Sequence, residues 1–358
     1  MSLRKFMEEA LSEWMKGNGP DSDIVISSRI RLARNIRQHP FPMLSTNNQS
    51  QEVLDKALTV LEDGQLRNLC EFEALKLSEM SELEKKVLVE KHLISPNLAD
   101  ESRNGAVFLS DNEAVSIMVN EEDHLRIQCL YPGLQIQEAW ELASRIDDVF
   151  ESRLNYAFDE QRGYMTSCPT NVGTGIRASV MLHLPALVLT QQINRILSAI
   201  TQVGLAVRGI YGEGSEAVGN LFQISNQITL GQSEEEIIDN LHKVVKQIIE
   251  HERAARERLM QESKTRIADR VYRSFGILSY AMVIDSKEAA QRLSDVRLGI
   301  DLGLIRETSA NILNELMVMT QPGFLQQYAG AKLTPDERDI RRAEMIRQRM
   351  EPAEAAES

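Results

Sequence analysis

The chain has 358 residues, 42% hydrophobic and 26% charged, a composition of ordinary globular domains and a length that suits two of them. Its formal net charge of −13 argues against a dedicated nucleic-acid binder, which would carry an overall basic footprint. Three cysteines (Cys70, Cys129, Cys168) without CxxC spacing argue against a disulfide scaffold or zinc ribbon and fit a reducing cytosol, and no apolar run approaches the ~20 residues of a membrane span.

In chain order, residues 1–20 open with an amphipathic helix, broken at Gly17-Asn18-Gly19-Pro20. Residues 24–33 alternate, with Ile24, Ile26, Ile30 and Leu32 on one parity and Ser27, Arg29 and Arg31 on the other, which predicts a strand with one apolar and one cationic face. Helices are expected at about 50–62 and 79–93. Three short strands follow, GAVFLSD, AVSIMVN and HLRIQCLY, the first two joined through Asn112. A helix at 136–158 precedes strands at 177–184, 204–210 and 221–226, with a helix opened by Pro185 and running to 202. Ser233 with Glu236 forms a capping box for a helix reaching about 261. Beyond it the strand signals stop, and 264–283, 286–300, 306–320 and 334–350 all read as helices. The expectation is an α+β domain over 21–260, an all-helical one over 261–350, and a disordered tail over 351–358.

Glycine-rich runs do not identify a nucleotide fold by themselves. Gly173-x-Gly175-x-x-Ala178 and Gly212-x-Gly214-x-x-Ala217 match a loose GxGxxA, but neither lies in a strand-to-helix βαβ unit, so both are read as tight or mobile loops. There is no GxxxxGK[ST] and no HRD or DFG set. Arginine placement says more. Arg29, Arg31, Arg126, Arg177 and Arg208 each fall on the polar face or at the end of a strand. Singly, each reads as a solvated edge residue; together they suit a polyphosphate, because the guanidinium fork donates bidentate bonds to phosphate oxygens. The acidic run Asn120-Glu121-Glu122-Asp123-His124 sits at a strand turn, either as surface ion pairs or as carboxylates aimed into a site. Glu213 lies in a glycine loop, solvated or part of a closing lid. An isolated Cys168 is more often a buried small hydrophobe than a thiolate.

The blocks Ser27-Ser28-Arg29-Ile30-Arg31, Asn120-Glu-Glu-Asp-His-Leu-Arg126, Cys168-Pro-Thr-Asn-Val-Gly-Thr-Gly-Ile-Arg-Ala-Ser179 and Arg208-Gly-Ile-Tyr-Gly-Glu213 resemble, in order, the signatures of the phosphagen (guanidino) kinases. That resemblance implies a phosphagen-kinase-like catalytic domain, with a central, mainly antiparallel sheet flanked by helices. It also implies roles. Arg29, Arg31, Arg126, Arg177 and Arg208 would clamp the phosphates of Mg-ATP, with Ser27, Ser28, Ile30, His92, residues Ala178, Ser179, Val180 and Met181, and residues Gly209, Ile210, Tyr211, Gly212 and Glu213 around the nucleotide. Glu122 and Glu213 would hold and polarise the acceptor guanidinium, and Cys168 would contact it as a thiolate. No dedicated metal cage is implied, because phosphates and water can hold most of the magnesium shell.

Two departures bear on the acceptor. Small-molecule members carry a helical domain ahead of the SSR strand, whereas here Ser27 already opens that block, and Met181 stands where many of them have a second adenine-side histidine. The helical C-terminal domain instead resembles that of bacterial protein-arginine kinases. Arg338-Asp339-Ile340-Arg341-Arg342-Ala343 is similar to their RDxxRA element, which implies a phosphoarginine pocket made by Arg338, Asp339, Arg342 and Ala343; read from composition alone, this is a solvated helix face. The stripe Ile267, Val271, Phe275 and Leu278 is read as a dimer surface. The resemblance further implies protein substrates, a cytoplasmic stress response that marks proteins for degradation, a zinc-binding activator, a heat-shock repressor and a chaperone–protease. A kinase for free guanidino compounds and a non-catalytic phosphoarginine adaptor remain the competing readings.

Overall fold

The computed structural model describes residues 2–8, 11–209, 217–306, 308 and 311–350. Helix α1 (Ser2–Glu8) leads into a segment that folds back over the sheet before strand β1 (Val25–Arg34). Helices α2 (Asn47–Leu61) and α3 (Gly64–Leu69), strand β2 (Phe72–Lys76), and helices α4 (Glu82–Glu90) and α5 (Pro96–Glu101) follow. Capping boxes start α2 at Thr46/Gln49 and α4 at Ser81/Glu84, and Ser95 caps α5 just ahead of Pro96. Strands β3 (Ala106–Ser110), β4 (Val115–Val119) and β5 (Leu125–Pro132) form a meander, and α6 (Ile136–Arg153) crosses behind it. A small hairpin, β6 (Phe158–Asp159) and β7 (Gly163–Tyr164), precedes β8 (Ile176–His183), α7 (Pro185–Leu189), α8 (Ile193–Gln202), β9 (Leu205–Gly209) and β10 (Leu221–Asn226). The rest is helical: α9 (Glu234–Glu262), α10 (Lys264–Tyr280), α11 (Ser286–Asp301), α12 (Ile312–Met319), α13 (Pro322–Ala329) and α14 (Pro335–Met350).

Eight strands form one sheet in the order β2-β3-β4-β5-β1-β8-β10-β9, every neighbouring pair antiparallel. The period of two in β1 decides what each face carries. Ile30, Leu32, Ile127, Cys129, Ala178, Val180 and Ile224 are buried together under α6, α7 and α9, in a core that also holds Ile146, Phe150, Leu241 and Ile248. The opposite face presents the polar parity and carries the site.

A second core joins the two halves. Ile267, Val271, Leu278, Leu293 and Leu316 of the C-terminal helices pack in one cluster with Trp14, Met15, Ile26, Leu130, Met181 and Leu221. This corrects one expectation: Ile267, Val271 and Leu278 are at most 4% exposed, so their stripe is spent inside the chain and is not a free dimer face. Three helix spans also differ from expectation. The helix from Ile136 stops at Arg153; the stretch from Pro185 is two helices parted at Gln191, whose φ is 58°; and α12 begins only at Ile312. Helix α13, ended by Gly330 in the left-handed region, went unread because two short apolar turns give little periodicity.

Candidate active site

Pairing brings the separate sequence blocks onto one surface. Across β5, β1, β8, β10 and β9 the register aligns Pro132, Ser27, Met181, Gln223 and Arg208 in one row, and Leu130, Arg29, Ser179 and Ser225 in the next. The third row holds Gln128, Arg31 and Arg177, with Arg126 beside Ala33 one step on. Residues opposite each other in an antiparallel ladder share a face, so Arg29, Arg31, Arg126, Arg177 and Arg208 all project from the same side.

Arg31, Arg126, Arg177 and Arg208 line a cavity of about 530 Å³ together with Glu122 and Cys168. The arginines press on one another. Burial, then the charges of Arg126 and Arg177, lowers the Arg29 guanidinium to about 10. Arg31 is pushed down further, by burial first and then by Arg29, Arg126 and Arg177. Its Nε is buried and has no hydrogen-bond partner among the described residues. Arg126 reaches Glu121 at 2.6 Å, and Arg29 Nε donates to Ser179 Oγ at 3.3 Å. Packed cations with an unused donor form a site whose free energy falls when a polyanion enters.

The acidic turn between β4 and β5 is built to hold one carboxylate forward. Asn120, with φ 57°, closes it by donating its N–H to the His124 carbonyl. The Glu121 carboxylate is tied to Arg126 and to Ser95 Oγ at 2.6 Å, and it also accepts the Glu122 N–H at 2.8 Å. Asp123 accepts from Asn35 Nδ2 at 2.6 Å and from the Ser167 N–H at 2.7 Å. His124 accepts the Ile36 N–H at Nδ1, which leaves Nε2–H to donate to the Pro40 carbonyl, and burial lowers its pKa to about 4. Every neighbour is thus occupied in fixing the turn, and half-buried Glu122 lines the cavity. Burial, then the charge of Asp123, raises its pKa above the usual glutamate value. Cys168 opens the turn Pro169–Asn171, its Sγ 3.1 Å from Thr170 Oγ1. Gly175, at φ 67°, lets the following strand start: a Cβ there would lie 2.7 Å from the Ala33 carbonyl oxygen and 2.6 Å from Arg34 Nη1.

At the other end of the same face, His92, Arg29, Ser27, Ser179 and Met181 border a small cavity. Burial, then the charge of Arg29, lowers the His92 pKa to about 4, so the ring is neutral. Three further residues border this end that sequence reasoning missed, Trp14, Leu130 and Gln223. The Trp14 ring meets His92 edge-on at 5.5 Å between centroids. Gln223 shares the parity of Ser225 and could have been placed had the strand order been known; nothing in sequence brings the Trp14 turn across the sheet.

Ser28, Ile30, Ala178 and Val180 have the other parity, so their side chains face the helix-packed core and only their backbone is offered to the site face; Ser28 Oγ donates to the Gly133 carbonyl at 2.8 Å. Gly209 ends β9, while Ile210, Tyr211, Gly212 and Glu213 lie outside the described residues, as does the Gly212-to-Gly214 loop. On α14, Arg342 is 3% exposed, which overturns the solvated-face reading. Its Nε donates to the Thr320 carbonyl at 3.1 Å and Nη1 to the Ile284 carbonyl at 3.0 Å and to Asp339. Ala343 is buried beside it, and Arg338 Nε is buried with no partner among the described residues.

Comparison with known proteins agrees with this geometry. Residues 42–255 match the family described as "ATP:guanido phosphotransferase, C-terminal catalytic domain", and residues 264–358 match "Protein-arginine kinase McsB C-terminal domain". The chain is 63% identical over 357 residues to a protein-arginine kinase of Brevibacillus brevis, covering 100% of both chains. To that of Bacillus subtilis it is 60% identical over 350 residues, covering 98% of this chain and 96% of the other. Among solved structures, a lombricine kinase superposes with a TM-score of 0.57 at 27% identity, over 66% of this chain and 68% of that one. The chain therefore belongs to the ATP:guanido phosphotransferase family, within its protein-arginine kinase group.

Proposed function

We propose that the chain transfers the γ-phosphoryl group of Mg-ATP to the guanidinium of arginine residues in proteins. The observation that carries this reading is the cavity where Arg31, Arg126, Arg177 and Arg208 meet Glu122. The arginines supply charge for the transferring phosphoryl group, and Glu122 faces the acceptor. A free guanidinium stays protonated near neutral pH and has no nucleophilic lone pair. Glu122 orients its plane and accepts a proton from one N–H as the N–P bond forms; the bond from phosphorus to the bridging oxygen breaks, and its electrons leave with ADP. A carboxylate whose pKa is raised is a better base for this step. Because the turn around it is already fixed, little reorganisation accompanies the transfer.

A Mg²⁺ carried by the phosphate oxygens and water would neutralise phosphate charge when bound. His92, Trp14 and Gln223 are proposed for the base end, Cys168 and Glu213 for the guanidinium side.

Several finer points belong to the same proposal. Buried Arg342 and half-buried Arg338 of α14, with Asp339 and Ala343, suit phosphoarginine: Arg338 has a donor to spare, and Asp339 can take a guanidinium. Marking of proteins for degradation under stress, assembly into dimers, an activator protein and action in the cytoplasm are inferred from the family resemblance. No described helix is long and apolar enough to cross a membrane.

Offering equal arginine concentrations as free amino acid and as an unfolded protein tests the acceptor. Phosphorus NMR should show an acid-labile P–N signal on the protein. A signal confined to the free amino acid would overturn the reading.

A further inference from the structure

A second cavity, of about 410 Å³, adjoins the first. Glu122 lines both, but none of the four arginines of the first cavity lines the second. The acceptor guanidinium meets Glu122 and Cys168 in the first cavity, so the second is placed to take the rest of the acceptor as it leads away from Glu122. Its walls come from four places: the turn Pro42–Leu44, α5 with the residues just after it, the acidic turn, and Ser167.

Two features of this groove are unexplained by folding alone. Asn120 is 2% exposed, and its Nδ2 donates to the Ser50 carbonyl at 2.9 Å and the Asn104 carbonyl at 3.2 Å. Those two carbonyls fix the amide orientation, and Oδ1, a buried acceptor, has no partner among the described residues. At the rim, Met43 is 75% exposed, and Leu44, next to it but outside the lining, is 73% exposed, on a turn held by the Ser45 hydroxyl donating to the Pro42 carbonyl at 2.9 Å. Two adjacent large apolar side chains held in solvent beside a catalytic carboxylate form a contact surface in search of an apolar partner. At the walls Glu101 stands with Arg103 and Glu121 is paired with Arg126, which leaves Glu122 as the charge that meets the cationic acceptor.

Resting on the kinase reading above, we infer that this groove holds the polypeptide segment around the target arginine in extended form. Asn120 Oδ1 accepts a main-chain N–H of the segment, and Met43 and Leu44 receive an apolar side chain next to the arginine. The surface thus selects arginines in apolar surroundings, which a folded protein hides and an unfolded chain exposes.

The test uses the full chain with Mg-ATP and three acceptors: an arginine peptide with leucine and phenylalanine neighbours, the same peptide with glycine and serine neighbours, and N-acetylarginine amide. For the unaltered chain, KM should be about fivefold lower for the apolar peptide than for the glycine–serine one, the scale of partly burying one apolar side chain. The double substitution Met43→Ser, Leu44→Ser, which adds no charge beside Glu122, should erase that difference while leaving kcat on N-acetylarginine amide and the KM for ATP unchanged; both positions are solvent-exposed, and the ATP KM reports that the fold is intact. Equal KM values for the two peptides in the unaltered chain, or a difference that survives the substitutions, overturns the groove. Absence of transfer to all three acceptors is a separate result and overturns the kinase reading itself.

Discussion

At the scale of single residues, Glu122 carries the account. Replacing it by Gln removes the proton acceptor but keeps size and hydrogen-bonding reach, so turnover should fall by roughly 10³-fold or more while ATP still binds. Loss of nucleotide binding, measured by calorimetry, would place Glu122 in a structural role instead. The working form is the carboxylate, and its pKa is raised from 4.5. The acidic limb of kcat should therefore have its midpoint above that of an ordinary glutamate, with activity lost as pH falls through it. His124 gives a stability counterpart. Folded, it titrates at about 4 against 6.5 in the unfolded chain, so below 6.5 the unfolded state binds more protons. Stability should decline as pH drops from 6.5 toward 4 and then level off with respect to this group; a His124→Gln chain should lose part of that slope in thermal melts. What sequence offered at this scale was parity. The alternation of β1 put Arg29 and Arg31 opposite Ile30 and Leu32, and the structure keeps that division. It could not show Trp14 bordering the nucleotide end, because that contact depends on a chain reversal at Gly17–Pro20 rather than on any local pattern.

At the scale of elements, carboxylates do repeated work as helix caps. Glu252 of α9 accepts the N–H groups of Ala186 and Leu187 at 3.0 Å each, starting α7 behind Pro185. Glu90 of α4 accepts those of Gly323 and Phe324 at 2.7 and 3.0 Å, starting α13. A Cβ on Gly323 would lie 2.6 Å from that carboxylate, so a larger residue there would push the Glu90 side chain off its cap. Both carboxyls are pushed up by burial against the pull of these donors. Glu90→Ala should cost about 1–2 kcal/mol in chemical denaturation, and an unchanged midpoint would count against the cap. A larger loss is expected at Arg34, buried against Asp147 and Glu234 and lying over the Tyr164 ring at 3.6 Å. Arg34→Ala leaves two carboxylates unpaired and should cost about 3–5 kcal/mol. These caps were not legible beforehand: a capping box such as Ser233/Glu236 is local and was found, but Glu90 and Gly323 are far apart in sequence. The break at Gln191 escaped because Thr190-Gln191-Gln192 holds neither glycine nor proline to mark a turn.

At the scale of the molecule, the fold class and the order of elements were legible because strand and helix periods differ sharply along the chain. The relation of the two halves was not. Ile26, Leu130, Met181 and Leu221, which belong to the sheet, are covered by C-terminal helices, so the nucleotide end of the site and the helical region rest on one core. Full-length protein should accordingly unfold in one calorimetric transition, and residues 1–262 alone should expose this core and bind hydrophobic dye. Two separated transitions would contradict that coupling. The central claim, that this surface moves phosphate onto protein arginine, is tested most directly by incubating the chain with γ-labelled ATP and an unfolded arginine-containing protein, then mapping the label by mass spectrometry under non-acidic conditions. The account predicts acid-labile label on arginine side chains, absent with Glu122→Gln; acid-stable label on serine, threonine or tyrosine would contradict it.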